Sequence, residues 1–196
     1  ATVVVLLFFF AFLALRVPWE VPDRAALAGP TVVLDRDGEE LVRFTSQVDR
    51  RVVDLDEVSS AARNAVIASE DARFYEHTGV DPVSLMRAVV SNVRTGGISQ
   101  GGSTLTQQYV KNAYLTPEQT ITRKVREAVI SIALERQLSK DEILESYLNE
   151  VYFGEFAWGI EAAAQTYFGV PARELDAGQG ATLAQLLPAP SVRNPR

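Results

Sequence analysis

The sequence has no cysteine and only one histidine, His77, among its 196 residues. The lack of cysteine excludes disulfide bonds, a thiolate nucleophile and any zinc site built on cysteine. A single histidine also excludes a histidine-rich metal site. The net charge is −6 and no long basic run is present, so we expect no nucleic-acid partner.

The composition is that of a globular protein with an apolar leader. Apolar residues make up 47% and charged residues 22% of the chain, and its length fits one domain plus an appendage. The first fifteen residues contain one polar side chain, Thr2. We predict that residues 1–16 are the truncated end of a transmembrane helix, followed by a juxtamembrane linker at 17–30 and the main domain at 31–196. A signal-peptide core or a buried strand are the alternatives for the leader.

The rest of the chain shows one hairpin pattern followed by helical patterns. Two alternating segments within 31–44 flank Asp37-Gly38, which predicts a β-hairpin. Helices are expected over 56–69, from Asp81-Pro82, from Thr116-Pro117 to about Leu138, from the capping box at 139–142 to about Gly154, from Gly159 to Gly169, and over 179–187. The glycine-rich segment 94–103 predicts a tight turn or a mobile loop.

The helix that starts after Asp81 has an apolar stripe. Its members recur at helical spacing and are Leu85, Met86, Val89, Val90 and Val93. Ordinary core packing explains such a stripe, but contact with lipid is an equally open interpretation.

Three blocks of the sequence carry residues suited to chemistry. The first is SEDARFYEHTG at 69–79, where Glu70 is placed to act as a base near a helix end. The second is GGSTLTQQYVKN at 101–112, where glycines and hydroxyls precede a helix that also carries Lys111. The third is RKVRE at 123–127, where Arg123 and Glu127 share a helix face.

Each block also has a plain structural explanation. An isolated Glu-Asp pair is most often a solvated helix end, and Gly-Ser-Thr is most often a helix cap. An i,i+4 arginine–glutamate pair is most often a weak surface salt bridge. No single block therefore decides the function.

Together, in this order and behind an apolar N-terminus, the blocks resemble glycosyltransferase family 51, the peptidoglycan transglycosylases. A fourth block, from Lys140 through Asn149 to Gly169, extends the resemblance, which covers about residues 31–195. It implies a mainly α, lysozyme-like helical domain with a small β-hairpin and an N-terminal membrane helix. It also implies that the protein polymerises lipid II with inversion at the anomeric carbon, and that undecaprenyl pyrophosphate is the leaving group.

The resemblance assigns the site residues. Catalytic roles fall to Glu70 and Glu127. Residues expected to bind substrate or pyrophosphate are Asp71, Arg73, Ser103, Thr104, Gln107, Gln108, Lys111, Arg123, Lys124 and Asn149. His77 is expected to be a hydrogen-bond partner.

The resemblance implies no required cofactor, no dedicated metal site and optionally a divalent cation at the pyrophosphate. Expected partners are lipid II, the lipid-linked glycan chain, the bilayer and other cell-wall synthesis proteins, with the domain on the extracytoplasmic face of a bacterial plasma membrane. The chain contains no S-x-x-K sequence, so no penicillin-reactive serine is predicted within it. A membrane-bound lytic hydrolase of related fold and a non-catalytic lipid II-binding scaffold remain as alternatives.

Several positions depart from the family pattern, among them Gln119, Gln179, Leu187-Pro188 and Arg193. Gln119 stands where many members carry an arginine, which removes one expected phosphate-binding charge. Gln179 stands where glutamate is usual, between Gly178 and Gly180. Glycines weaken a helix interior, so we expect the last helix to be of low stability.

Overall fold

A computed structural model describes residues 31–36, 39–44, 49–95, 102–115 and 120–193. The described chain is mainly helical, as predicted. Within these ranges no helix combines the length and the apolar character needed to cross a membrane. The predicted membrane segment 1–16 and the linker 17–30 lie outside the described residues.

The described residues form seven α-helices and four short strands. The helices are α1 (Ser60–Glu70), α2 (Pro82–Thr95), α3 (Leu105–Tyr114), α4 (Ile121–Leu134), α5 (Lys140–Glu150), α6 (Ile160–Phe168) and α7 (Ala177–Leu186). The strands are β1 (Thr31–Leu34), β2 (Glu40–Phe44), β3 (Asp49–Arg50) and β4 (Ala157–Trp158).

The chain divides into two compact units, and each has its own buried apolar residues. The described part of the first unit lies within 73–143, and its largest fully buried side chains are Phe74, Leu105, Tyr109 and Ile143. The described part of the second unit lies within 31–72 and 144–193, and its largest fully buried side chains are Leu144, Tyr147, Leu148, Phe153, Ile160 and Leu183.

The predicted hairpin is present in the second unit. Strands β1 and β2 are antiparallel, with Thr31 opposite Phe44. The side chain of Asp35 accepts a hydrogen bond from the Glu39 amide at 2.9 Å, which closes the loop end of the hairpin. The turn pair Asp37-Gly38 lies outside the described residues. Strand β3 instead pairs in parallel with β4, which comes about 100 residues later in the chain.

Helix α4 begins later and ends earlier than the sequence suggested. The expected start at Thr116-Pro117 is wrong, because Thr120 is extended and caps the helix by accepting the Arg123 amide at 3.1 Å. The expected end near Leu138 is also wrong, because Glu135–Leu138 form turns that follow the last helical residue, Leu134. Residues 116–119 lie outside the described ranges.

The other predicted helices are present with small shifts of their ends. Ser139 and Glu142 form the expected capping box before α5, which ends at Glu150 rather than near Gly154. The amide and hydroxyl of Ser139 hold the pKa of the Glu142 carboxyl below its usual range. Helix α6 ends at Phe168 and is followed by Gly169, whose left-handed φ of 69° stops the helix.

Helix α7 is well formed despite its glycines. Asp176 and Gln179 cap each other's backbone amides, at 2.8 and 3.0 Å, so Gln179 has a structural role at the helix start. A Cβ atom on Gly180 would lie 2.8 Å from the Cα atom of Ala62 on α1. Gly180 therefore permits close approach of α7 to the helix that ends at Glu70.

We predict opposite effects for alanine at the two glycines of α7. Gly180→Ala should lower the free energy of unfolding by roughly 1–3 kcal/mol, because the methyl group meets backbone that cannot move aside. Gly178→Ala is the matched control, since the nearest atom would be 3.4 Å away on the flexible Asp176 side chain. It should raise stability by up to about 1 kcal/mol through helix propensity. Urea unfolding of both variants tests this, and equal effects would contradict the packing role of Gly180.

Candidate active site

Three of the predicted cationic residues line one pocket in the first unit. Lys111 comes from α3, and Arg123 and Lys124 come from the first turn of α4. The cavity has a volume of about 790 Å³. Its described lining also includes Asn112, Leu115, Thr120 and Ile121. Because helix α4 begins at Ile121, the positive end of its dipole lies at this pocket, an arrangement suited to an anion.

Glu127 is buried beneath two of these cations. One carboxylate oxygen accepts a hydrogen bond from Arg123 Nη1 at 2.7 Å, and the other accepts from Lys124 Nζ. The Glu127 side chain is 2% exposed, whereas that of Lys124 is 45% exposed. This pair is therefore not the weak surface salt bridge that the sequence allowed. Arg123 Nε is also buried and has no hydrogen-bond partner among the described residues.

Lys124 also connects the pocket to the glycine-rich block. Its Nζ donates a hydrogen bond to the Ser103 hydroxyl at 2.6 Å. Ser103 thus lies next to Lys124, and its role in binding substrate stays a prediction. The ammonium group of Lys124 is shared between a hydroxyl and a carboxylate, which fixes its position at the pocket.

Thr104 and Gln107 use their polar atoms to build the start of α3. Thr104 Oγ1 accepts from the Gln107 amide at 3.2 Å, and Gln107 Oε1 accepts from the Thr104 amide at 3.0 Å. Thr104 Oγ1 also donates to the carbonyl of Gly79 at 2.7 Å. Both side chains are buried, so a direct role in binding substrate stays a prediction. Gln108, the next predicted residue, is half-buried on α3.

Gly79, at the end of the first block, lies directly against the backbone of α4. Its φ is 78°, and a Cβ atom there would lie 2.7 Å from the backbone of Ser131 and Ile132 on α4. Only glycine allows this approach without displacing α4.

The aromatic residues of the first block hold their segment against α5. Lys140 Nζ lies 4.4 Å from the centroid of the Phe74 ring. The Tyr75 hydroxyl donates to Asp141 at 2.9 Å. Lys140 also donates to Glu135 at 2.8 Å, and Glu135 accepts from the Thr106 hydroxyl on α3. These contacts fix the start of α5 to α3 and to the segment that follows Glu70.

Glu70 lies in the second unit, as the last residue of α1, so the predicted helix delivers it as expected. It is half-buried. Burial raises the pKa of Tyr147, and the negative charge of Glu70 raises it further. Glu70 is therefore close to a buried phenol that the sequence did not single out. Asp71 caps α1 and is buried.

Asn149 joins α5 to the segment before α1. Its Nδ2 donates to the carbonyls of Val53 and Glu145 at 2.8 and 3.0 Å, and its Oδ1 accepts from the Val53 amide at 3.0 Å. The buried amide is thus engaged by backbone, as a buried asparagine requires. A contact between Asn149 and substrate stays a prediction.

Arg73 pairs with a buried carboxylate that the sequence treated only as a helix cap. Asp81 is completely buried and forms a salt bridge with Arg73. Burial alone would raise the pKa of Asp81, but hydrogen bonds from Arg73, the Ser84 hydroxyl and the amides of Val83 and Ser84 lower it well below its usual range. Binding of phosphate by Arg73 stays a prediction.

We predict that Asp81→Asn destabilises the first unit by roughly 2 kcal/mol at pH 7, because the hydrogen bonds of a charged, buried group are lost. The native pKa of Asp81 is lowered, so its stabilising effect is complete above the unfolded value of about 3.9 and is lost as the pH falls below it. Unfolding in urea at pH 7 and pH 3 should show a smaller difference between parent and variant in acid. The control Asp56→Asn removes an exposed carboxylate and should change little. A difference in unfolding free energy between parent and Asp81→Asn that is the same at pH 7 and pH 3 would contradict this account.

The structure therefore brings together Ser103, Lys111, Arg123, Lys124 and Glu127 in one unit. It places Glu70, Asp71 and Asn149 in the other. Sequence reasoning missed Tyr147, Thr120 and Ile121. Of these, only Thr120 carries a sequence signal, because Thr120 is followed by an apolar residue at the start of a helical pattern.

No cluster of three or more histidine, aspartate or glutamate side chains suited to a metal ion occurs within the described ranges. The carboxylate of Glu127 is already paired with two cations.

Comparison with known proteins decides the family. The family model described as "Transglycosylase" matches residues 37–196. The chain belongs to the transglycosylase family. Similar proteins include penicillin-binding protein 1A/1B of Bacillus subtilis, which is 45% identical over 176 residues. Penicillin-binding protein 1A of Escherichia coli is 43% identical over 182 residues, and that of Aquifex aeolicus is 47% identical over 146 residues.

These matches cover most of this transglycosylase-family chain and a small part of each relative. They span 88%, 90% and 74% of the chain, respectively, but only 19%, 21% and 20% of the relatives. The chain thus spans about a fifth of the length of these curated relatives. The matched residues include Glu70 and the five residues brought together in the first unit, which are Ser103, Lys111, Arg123, Lys124 and Glu127.

Proposed function

We propose that this chain is a peptidoglycan glycosyltransferase domain that polymerises lipid II into glycan strands. The match of residues 37–196 to the transglycosylase family carries the proposal. The pocket lined by Lys111, Arg123 and Lys124 supports it, because three cations in one cavity suit a pyrophosphate group.

The proposed reaction needs a base and a stabilised anionic leaving group. Glu70 removes the proton from the 4-hydroxyl of the acceptor sugar, since an alcohol is a poor nucleophile until its proton is taken. The resulting oxygen attacks the anomeric carbon of the lipid-linked chain, with inversion. The bond to undecaprenyl pyrophosphate breaks, and the bonding electrons leave with the pyrophosphate oxygen.

The pocket lined by Lys111, Arg123 and Lys124 would stabilise the charge that develops on the leaving group. Lys111 and Lys124 are both accessible from solvent. The Arg123 side chain lines the pocket and is 18% exposed, and its Nη1 is held by Glu127. Cations held in place before the reaction need little reorganisation when the charge appears. Other members of the predicted set, including Asp71 and Gln108, are proposed as supporting contacts.

The direct test is turnover of lipid II by the purified chain in detergent micelles. We expect glycan polymer and released undecaprenyl pyrophosphate, separated by gel electrophoresis and thin-layer chromatography. Shortening of preformed glycan, still seen when Lys111 and Arg123 are replaced, would instead support the lytic hydrolase. Binding of lipid II with no polymer would support the scaffold.

We also propose that α2 contacts lipid, at the extracytoplasmic face of a bacterial plasma membrane. Three residues of its apolar stripe are not packed in the core. Leu85, Met86 and Val90 are 50%, 67% and 46% exposed. Val83 is exposed on the same helix, and Arg87 is an exposed cation that suits anionic headgroups.

We predict that nitroxide labels at Leu85→Cys and Met86→Cys become protected from aqueous quenchers when phosphatidylglycerol vesicles are added. A label at Val192→Cys is the control, since Val192 is 86% exposed but lies outside α2. Leu85→Ser with Met86→Ser should weaken vesicle binding roughly tenfold, because transfer of two apolar side chains to lipid is lost. Equal access of the quencher to all three labels in the presence of vesicles would contradict the proposed contact between α2 and lipid.

A further inference from the structure

The turn between α5 and α6 has a backbone geometry that its residues disfavour. The carbonyl of Gly154 accepts a hydrogen bond from the Ala157 amide at 2.8 Å. The two residues between them, Glu155 and Phe156, have φ angles of 48° and 59°. A hydrogen bond from the fourth residue to the first, with positive φ at both central residues, is the arrangement of a type I′ turn. Such turns favour Asn-Gly or Asp-Gly, not Glu-Phe.

The same turn presents a large apolar side chain to solvent. Phe156 is 59% exposed, whereas its neighbours Phe153 and Ala157 are completely buried. A single exposed apolar residue is ordinary. However, Glu155 and Phe156 are the only non-glycine residues with positive φ among those the structure describes. Disfavoured backbone of this kind is concentrated at ligand-binding sites.

Two further aromatic residues support this turn. The rings of Tyr152 and Trp158 lie with their centroids 5.0 Å apart, and both side chains are partly exposed. The Tyr152 hydroxyl accepts a hydrogen bond from the Phe156 amide at 3.4 Å. The Phe153 amide donates to the Ala157 carbonyl at 3.0 Å. We call residues 152–158 the aromatic turn.

We propose that the aromatic turn binds a pyranose ring of a glycan through Phe156. This inference rests on the proposed function, which makes saccharides the substrates of the chain. The C–H face of a pyranose packs on an aromatic ring, whose face is electronegative. The exposed carboxylate of Glu155 supplies an acceptor for sugar hydroxyls next to that ring.

The size and charge of the aromatic turn favour a saccharide over two other occupants. A stable protein partner buries about 800 Å² on each side, far more than one exposed phenylalanine provides. An anionic membrane surface attracts cations, whereas the exposed charge in this turn is the acid Glu155.

The test measures binding of tetra-N-acetylchitotetraose, a soluble uncharged saccharide, through the fluorescence of Trp158. The other tryptophan of the chain, Trp19, is replaced by phenylalanine in every protein compared, so that only Trp158 contributes to the signal. We expect Phe156→Gly to raise the Kd roughly tenfold, because the stacking surface is lost. Phe156→Tyr should bind like the parent, and so should Val52→Ala, which shortens another exposed apolar side chain of the second unit.

The thermal midpoint distinguishes binding from a structural role. Glycine tolerates positive φ, so Phe156→Gly should keep or raise the Tm while it loses affinity. A fall in Tm with unchanged affinity would overturn the proposal. So would loss of phosphatidylglycerol vesicle binding with no change in saccharide binding. A parent chain that binds the saccharide but forms no polymer would refute the proposed function and leave this inference standing.

Discussion

Glu70→Gln is expected to reduce lipid II polymerisation roughly 10³-fold, because the amide cannot take the proton from the acceptor hydroxyl. Glutamine keeps the shape of the side chain, and Glu70 is a half-buried residue at the end of α1. Stability should therefore change by less than about 1 kcal/mol. Initial rates of polymer formation and a urea unfolding curve measure the two effects separately.

The matched control for Glu70 is Glu76→Gln. Glu76 is an exposed glutamate six residues later, in the short 3-10 turn Phe74–Glu76. Its replacement should leave the rate within about twofold of the parent, since exposed positions away from the chemistry tolerate change. A Glu70→Gln variant that polymerises at the parent rate would rule out Glu70 as the base.

Glu127→Gln is expected to lower turnover roughly 10²- to 10³-fold, because the cations that stabilise the leaving group lose their fixed positions. Glutamine offers one acceptor oxygen in place of two, while Arg123 and Lys124 each use one oxygen of Glu127. Stability should also fall, by roughly 2 kcal/mol, since one partner of a buried ion pair is removed while Lys124 remains partly solvated. Steady-state kinetics and urea unfolding test both effects.

The control for Glu127 is Glu174→Gln, which breaks an exposed ion pair with Arg173 and should change neither turnover nor stability measurably. The dependence of rate on pH separates two roles of Glu127. If the carboxylate only holds Arg123 and Lys124, the pH profile of Glu127→Gln keeps its shape at a lower rate. The loss of one limb of the profile would instead show that Glu127 transfers a proton.

The sequence predicted the type of most secondary elements correctly, and local chemistry explains why. Ser139 with Glu142 and Gly159 with Gly169 mark helix ends through side-chain caps or glycine conformations that act within one turn. The hairpin over 31–44 was recognised for the same reason. The boundaries of α4 were wrong because Thr116-Pro117 and Thr120 are both acceptable starts, and local sequence does not choose between them.

The burial of side chains and the identity of their contacts were much harder to predict than the positions of the helices. The sequence alone favoured a surface salt bridge between Arg123 and Glu127. In the structure the Glu127 side chain is only 2% exposed and also pairs with Lys124. The glycines of α7 suggested a weak helix, yet Gly180 allows close contact with α1, because a Cβ atom there would lie 2.8 Å from the Cα atom of Ala62. The burial of Glu127 depends on how α4 packs in the fold, and the role of Gly180 depends on its contact with α1. Spacing along one helix encodes neither.

By itself, the sequence determined the family, the helical class and the types of residue that the proposed chemistry requires. It did so because motifs, caps and apolar periodicity depend on residues close together in the chain. Only the tertiary structure decided that Lys111 shares a pocket with Arg123 and Lys124, that Glu70 lies near the buried Tyr147, and that Phe156 projects from a disfavoured turn. Those facts depend on which distant segments pack together and on how much water they exclude, and both are properties of the folded chain.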